Sequence, residues 1–106
     1  MPHIELRASA GEDSRRIVTD LARQSQAAAE QLESRVVEVM GILGQFPQAG
    51  RLAYPTGDAE YRSAAVGSYL VWYRLDPTDV VRIVAIRHGR QRPLTLAELE
   101  ERTEQS

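Results

Sequence analysis

The sequence contains no cysteine, and its only two histidines, His3 and His88, lie far apart in the chain. The absence of thiols excludes disulfide bonds and thiolate metal sites, and two isolated imidazoles do not predict a zinc site. No stretch approaches the roughly 18 apolar residues of a membrane-spanning helix, and the N-terminus lacks the apolar segment of a secretory signal. We therefore expect a soluble, cytoplasmic protein with no metal, no cofactor and no membrane partner.

Lysine is missing as well, because all 13 basic residues are arginine. A GC-rich genome would explain this bias, and so would a need for planar, bidentate contacts with carboxylates or phosphates. The charges are unevenly distributed. Residues 1–50 carry a net charge of −2, residues 51–92 carry +3 and residues 93–106 carry −3, which sums to the −2 of the whole chain.

A chain of 106 residues is long enough for one small globular domain and too short for two. The first half predicts a strand at His3–Arg7, followed by two helices. A capping-box pattern, Ser9-x-x-Glu12, predicts the start of the first helix. The apolar periodicity breaks near residues 24–26 and resumes in a second helix that is expected to end at Gly44.

The second half predicts mainly strands. Residues 47–60, with two prolines and two glycines, predict a loop. Strands are then expected over 61–66, 69–75 and 80–88, and the last of these, the most apolar, is expected to be central in the sheet. A second capping box, Thr95-x-x-Glu98, starts a short acidic helix. We expect a domain over 1–93 and a C-terminal helix or tail over 94–106.

This order predicts an α+β fold, β-α-α-β-β-β, with a helical hairpin on one face of a mainly antiparallel sheet. The other face stays partly open, and a functional site is expected there. Pairing Leu75 with Val80 across the turn at 76–79 is the simplest register for the last hairpin. Alternation then sends Arg87 and His88 to opposite faces, so only one of them can line a site on the open face.

Several features of residues 3–93, taken in order, resemble the RelE/ParE superfamily, the toxins of type II toxin–antitoxin modules. They are Gly50-Arg51 after Pro47, Arg62, Val66-Gly67-x-Tyr69, Tyr73-Arg74 and His88-Gly89-Arg90. The resemblance implies the β-α-α-β-β-β fold, growth inhibition, plasmid stabilisation and a cognate antitoxin that forms a hetero-oligomer with the chain.

The resemblance allows two activities. RelE-like members are ribosome-dependent mRNA endonucleases, whereas ParE-like members poison DNA gyrase. RelE-like nucleases typically place an arginine where this chain has Leu70, and they carry a late tyrosine, whereas none follows Tyr73 here. The absence of lysine also argues against ribosomal RNA binding. We therefore favour a gyrase inhibitor without catalysis, and the alternative is the endonuclease.

The stretch "IRHGRQRP" at residues 86–93 concentrates the candidate site residues. If the chain is a nuclease, the catalytic candidates are His88, Arg90 and Arg62. The candidates for binding the target or the antitoxin are all arginines: Arg51, Arg62, Arg74, Arg87, Arg90 and Arg92. Each also has a purely structural reading, as a loop hydrogen-bonding group or a solvated strand-edge side chain.

Overall fold

The computed structural model describes residues 3–104, which form five strands and three helices. Their bounds are β1 His3–Leu6, α1 Ala8–Gln24, α2 Gln26–Gln45, β2 Arg51–Thr56, β3 Ala59–Val66, β4 Tyr69–Leu75, β5 Val80–His88 and α3 Leu96–Glu104. The strands form one sheet in the order β1-β5-β4-β3-β2. Only β1 runs parallel to its neighbour, β5. The predicted α+β fold, with a helical hairpin on a mainly antiparallel sheet, is confirmed.

The turn between the two long helices is made by Ser25. Its backbone N–H donates to the Leu21 carbonyl at 2.7 Å and so closes α1. Its side-chain oxygen accepts the Ala28 N–H at 3.1 Å and so caps α2. The predicted break at residues 24–26 is therefore confirmed, and its cause is a serine that serves both helix ends.

The helical hairpin packs on one face of the sheet, which we call the helix side. The core there joins residues of both helices to alternate residues of the inner strands: Ala10, Leu32, Leu43, Val66, Val71, Tyr73, Leu75, Val81, Ile83 and Ile86. Alternation in β4 and β5 supplies most of these side chains. Removing this apolar surface from water is the main force that holds the hairpin on the sheet.

The opposite face, which we call the α3 side, carries a second and smaller core. Leu94 and Leu99 of the C-terminal segment are buried against Tyr61, Trp72, Val84 and Ala85. The Tyr61 hydroxyl also bonds to the Thr103 hydroxyl at 2.9 Å. The face that we expected to be partly open is thus covered over its middle, and only its margins remain free for a site.

The prediction of a loop over residues 47–60 is wrong in part. Arg51–Thr56 form the edge strand β2, and β3 begins at Ala59. Pro55 lies within β2, where its missing N–H is tolerated because an edge strand has a neighbour on one side only. The proline that suggested a loop therefore indicates an edge strand.

The first predicted capping box is also wrong. α1 begins at Ala8, its N-cap is Arg7 and no side chain caps it. Ser9 lies inside the first turn, is buried, and donates from its hydroxyl to the Val84 carbonyl at 2.8 Å. The serine therefore binds the sheet instead of its own helix. The second capping box is confirmed, because Thr95 and Glu98 exchange hydrogen bonds at 3.0 and 3.2 Å.

The predicted register of the last hairpin is wrong by one residue. Leu75 pairs with Val81, and a bulge at Val84 shifts the pairing again beyond Trp72. A bulge leaves backbone groups without ladder partners. Here the Val84 carbonyl accepts a hydrogen bond from the Ser9 hydroxyl, and the Ile86 N–H donates to the buried Asp13 carboxylate at 3.0 Å. β5 also lies one place from the centre of the sheet, which β4 occupies.

Candidate functional site

The register divides the predicted site residues between the two faces of the sheet. Arg62 pairs with Tyr73 and His88 pairs with Tyr69, so both lie on the helix side. The remaining strand arginines lie on the α3 side. Each pairs with a residue of that face: Arg51 with Ser63, Arg74 with Tyr61 and Arg87 with Leu70. Arg90 and Arg92 lie beyond β5 in an exposed turn. The expectation that Arg87 and His88 point to opposite faces is confirmed.

His88 is bound into the turn that follows β5. Its ring meets the Tyr69 ring edge-on, with centroids 5.1 Å apart. Its Nδ1 accepts the Arg90 N–H at 3.1 Å, and its own N–H donates to the Gln91 side chain. With Nδ1 occupied as an acceptor, the neutral ring carries its proton on Nε2. In this arrangement the imidazole organises the turn and presents no free basic nitrogen.

Arg62 holds the loop between α2 and β2. Its guanidinium donates to the Gly50 carbonyl at 2.7 Å and the Gln48 carbonyl at 3.2 Å, and its Nε pairs with Glu60 at 2.8 Å. Tyr73 contacts the same loop, because its hydroxyl donates to the Pro47 carbonyl and accepts the Gly50 N–H. Burial raises the pKa of Tyr73 above its ordinary value, although the Gly50 hydrogen bond opposes this effect.

Arg74 belongs to an ion-pair cluster at the far end of the sheet. It contacts Asp76 at 3.0 Å, and Asp76 also pairs with Arg82, which reaches Glu5 at 3.5 Å. Two arginines and two acids balance within this cluster. Arg74 therefore has a counter-ion inside the molecule and adds little net positive charge to the surface.

Arg92 is also matched by an acid. Its guanidinium makes two hydrogen bonds to the Glu98 carboxylate, at 2.7 and 2.9 Å. These bonds, and the Thr95 N–H, hold the pKa of Glu98 well below its usual range. The same carboxylate completes the capping box at the start of α3. Arg92 thus ties the turn after β5 to the C-terminal helix.

Three of the predicted arginines make no ion pair within residues 3–104, namely Arg51, Arg87 and Arg90. Arg87 is half-buried on the α3 side opposite Leu70, and its Nε has no hydrogen-bond partner in the described chain. Arg51 and Arg90 are exposed. These three guanidiniums form the available positive charge of the predicted set, and they are the residues best placed to bind an acidic group.

Four further surface residues were not foreseen from the sequence. Ile42, Phe46 and Leu52 are 49%, 63% and 46% exposed, and they lie around the junction of α2 and β2. Arg35 is exposed beside the turn between β3 and β4. Phe46 could have been noticed, because it follows the expected helix end at Gly44. The exposure of Leu52 could not have been predicted, because the prolines and glycines around β2 predict a loop.

Two negative findings concern only residues 3–104. Their His, Asp and Glu side chains form no group of three or more that could hold a metal ion. None of the three helices is long and apolar enough to cross a membrane.

The fold corresponds to that of a known class of protein. The chain is similar to the archaeal RelE–RelB complex from Pyrococcus horikoshii OT3, with a TM-score of 0.59 and 22% identity over 85% of this chain and 98% of that chain. At this identity the likeness establishes a RelE-like fold. No curated protein matches the chain by sequence.

A family model identifies the branch of this class. The model for the ParE toxin of the type II toxin–antitoxin system, parDE, matches residues 4–93. The chain therefore belongs to the ParE toxin family, within the RelE/ParE superfamily, and is the toxin of a type II toxin–antitoxin system.

Proposed function

We propose that the chain arrests growth in the cytoplasm by poisoning DNA gyrase, and that a cognate antitoxin neutralises it in a hetero-oligomer. The family membership supplies the toxin role. The preference for gyrase over the ribosome is supported by the positions of the nuclease candidates, which do not form one catalytic group.

One observation carries this choice: the nuclease candidates do not converge. His88 and Arg62 lie on the same face, but their partners on β4, Tyr69 and Tyr73, are four residues apart. Four residues of strand span about 13 Å. Acid, base and cation must all lie within hydrogen-bond reach of one phosphate. In addition, Arg62 and His88 Nδ1 are already bonded within the protein.

The second candidate is a ribosome-dependent mRNA endonuclease of RelE type. Arg51 and Arg87 favour it, because both lie on the α3 side and neither has an acidic partner within residues 3–104. Two such guanidiniums could contact an RNA backbone. The same face supplies no acid–base pair beside them, since their neighbours are Ser63, Ala65 and Leu70.

The proposed antitoxin has two supports. The P. horikoshii structure is a complex of RelE with RelB. In this chain, Ile42, Phe46 and Leu52 expose apolar surface on the last turns of α2 and the start of β2, and exposed apolar surface commonly marks an interface. Of the six arginines predicted to bind partners, the recognition role falls to Arg51, Arg87 and Arg90. Arg62, Arg74 and Arg92 instead hold the fold.

Induced expression of the chain alone tests the proposal. We expect DNA synthesis to stop first, with filamentation and an SOS response, while protein synthesis continues. The purified chain should inhibit gyrase supercoiling in vitro and trap cleaved DNA, whereas a sample denatured by heat should not. If translation stops within minutes and mRNA is cut at ribosomal A sites, the endonuclease is the correct assignment.

A further inference from the structure

The upper half of β5, residues 84–88, has a neighbouring strand on one side only. β1 ends at Leu6, which pairs with Ile83, and the Arg7 N–H donates to the Ile83 carbonyl at 2.9 Å. Within residues 3–104, no strand continues β1 along this edge. Above Ile83, the backbone groups of β5 that point away from β4 therefore need other partners.

Three side chains from α1 and α3 supply these partners. The Ser9 hydroxyl donates to the Val84 carbonyl at 2.8 Å, and the same carbonyl accepts the Arg102 Nη1 at 3.3 Å. The Asp13 Oδ2 accepts the Ile86 N–H at 3.0 Å and also the Arg102 Nη1 at 2.8 Å. Asp13 is only 2% exposed, so its carboxylate depends on these partners in place of water. We call Ser9, Asp13 and Arg102 the β5 clamp.

The β5 clamp binds at the bulge of the strand. Below the bulge Tyr73 pairs with Ile83, above it Trp72 pairs with Ala85, and Val84 is the extra residue between them. An extra residue moves every later position of the strand by one place, and a move of one place exchanges the two faces of the sheet. The bulge therefore decides which face each side chain at the end of β5 reaches.

This choice of face matters most for Arg87. In the bulged ladder Arg87 lies opposite Leu70 on the α3 side, and His88 lies opposite Tyr69 on the helix side. In a straight ladder, without the extra residue, Arg87 would lie opposite Tyr69 on the helix side, and Ile86 would leave the helix-side core for the place opposite Leu70. The α3 side would then lose the guanidinium that is available there for binding.

Asp13 distinguishes the two ladders through the Ile86 N–H. Ile86 is 1% exposed, so leaving its N–H without a partner would be costly. In the bulged ladder this N–H points away from β4 and donates to Asp13. Backbone groups alternate in direction along an antiparallel strand, so a move of one place would turn the same N–H towards β4. Removing the carboxylate thus penalises the bulged ladder and not the straight one. Burial of the Ile86 side chain still favours the bulge, so we expect a variant without the carboxylate to populate both ladders.

We propose that Asp13 is a positioning residue for Arg87: its carboxylate holds β5 in the bulged ladder and so places the Arg87 guanidinium on the α3 side. Ser9 and Arg102 hold the same bulge through the Val84 carbonyl. The inference rests on the proposed function, in which Arg87 binds a partner, and it adds the residue that determines where Arg87 lies.

NMR of the purified full chain tests the register without any partner. We expect cross-strand contacts between Arg87 and Leu70 in the parent chain. In Asp13→Ala, a second set of signals should show Arg87 beside Tyr69. Its Ile86 amide should exchange roughly tenfold faster or more, relative to the amides of α2, which report global opening.

Two further variants and a control separate positioning from general destabilisation. Asp13→Asn keeps an oxygen that accepts the Ile86 N–H, so it should keep one set of signals, with exchange within about threefold of the parent chain. Ser9→Ala removes only the bond to Val84 and should show the second set at a lower population, which keeps the test open if Asp13→Ala does not fold. The control, Glu12→Ala, removes the neighbouring exposed acid of α1 and should change neither readout.

Growth arrest then tests whether the register acts through Arg87. The measurement is the expression level that halves the growth rate, with circular dichroism to verify folding. Asp13→Ala and Arg87→Ala should each need a higher level, roughly tenfold or more for Arg87→Ala. The double variant should need no more than Arg87→Ala alone, because the two changes remove one interaction.

The inference is overturned if Asp13→Ala and Ser9→Ala both keep a single register, with Ile86 exchange equal to that of Glu12→Ala. Additive losses of growth arrest in the double variant would also overturn it, as would full growth arrest by Arg87→Ala. Failure of the proposed function is seen elsewhere, because an arrest of translation by the parent chain would exclude gyrase whatever the register of β5.

Discussion

At the residue scale, the absence of lysine has a structural consequence. Arg62 makes three contacts through two nitrogens of one guanidinium: Nε donates to Glu60, and Nη1 donates to the carbonyls of Gly50 and Gln48. An ammonium group is compact and cannot reproduce that planar arrangement.

We therefore expect Arg62→Lys to lower the free energy of unfolding by about 1–3 kcal/mol, the cost of weakening its partly buried hydrogen bonds to Glu60 and Gly50. Urea denaturation measures it, with the exposed Arg23→Lys as the control. Equal denaturation midpoints for Arg62→Lys and the parent chain would show that the stability of the loop between α2 and β2 does not depend on the planar guanidinium.

Tyr73 supports the same loop from within the core. Tyr73→Phe leaves the Pro47 carbonyl and the Gly50 N–H without their partner, and should cost about 1–3 kcal/mol. Because burial raises the pKa of Tyr73, the folded state favours the neutral phenol. Its contribution is present below about pH 10 and is lost as the pH rises through the raised pKa. Stability measured from pH 8 to 11 should fall less steeply for Tyr73→Phe than for the parent chain.

Glu98 gives the opposite pH dependence. Its pKa is lowered, first by the Arg92 guanidinium and then by the Thr95 N–H. A lowered carboxyl pKa stabilises the folded state above the unfolded pKa of about 4.3, and that stabilisation is lost as the pH falls further. Arg92→Ala should raise the pKa of Glu98 towards its ordinary value, as measured by NMR titration of the carboxyl carbon. An unchanged titration would mean that the pair does not persist in solution.

At the element scale, sequence periodicity was enough to predict the helical hairpin, the last three strands and the acidic C-terminal helix. It failed where tertiary contacts override local preference. Ser9 resembles a cap but bonds to Val84, which a bulge has left without a strand partner. Pro55 resembles a loop residue but lies in an edge strand. A bulge cannot be read from alternation, so the register of β4 and β5 could not be foreseen beyond it.

The predicted division of the chain after residue 93 stays a prediction, and the contacts of the C-terminal helix suggest an experiment for it. Leu99 is fully buried against the cluster that contains Trp72, and Arg102 reaches the buried Asp13 carboxylate at 2.8 Å. These contacts indicate that α3 contributes to the stability of the domain.

Leu99→Ala should therefore lower the free energy of unfolding by about 2–5 kcal/mol. It should also shift the emission of Trp72, the only tryptophan, to longer wavelength. Leu6→Ala is the control, because Leu6 is 50% exposed. If Leu99→Ala matches this control in both stability and emission, α3 does not contribute to the stability of the domain.

At the scale of the whole molecule, the charge pattern in the sequence identified a basic region but not its use. Residues 51–92 carry a net charge of +3, yet Arg62, Arg74 and Arg82 are paired with acids inside that region. The candidate site could be predicted only as a set of arginines. Which of them are available depends on side-chain pairs that bring distant parts of the chain together, such as Arg82 with Glu5.

The last prediction concerns the turn after β5, where recognition and catalysis give opposite results. Arg90 is exposed, whereas the His88 Nδ1 is bonded to the Arg90 N–H. If the turn binds partners, Arg90→Ala with Arg92→Ala should weaken toxicity or antitoxin affinity more than His88→Gln does, because each charge-assisted contact contributes about 1.5–3 kcal/mol. Arg92→Ala alone should cause the smaller part of this loss, since Glu98 already binds that side chain.

Growth arrest and antitoxin binding are measured for each variant, with circular dichroism to verify folding. Complete loss of toxicity in a folded His88→Gln chain that still binds antitoxin would instead assign His88 a catalytic role, because a general acid or base contributes about 10²- to 10⁴-fold to the rate of a reaction.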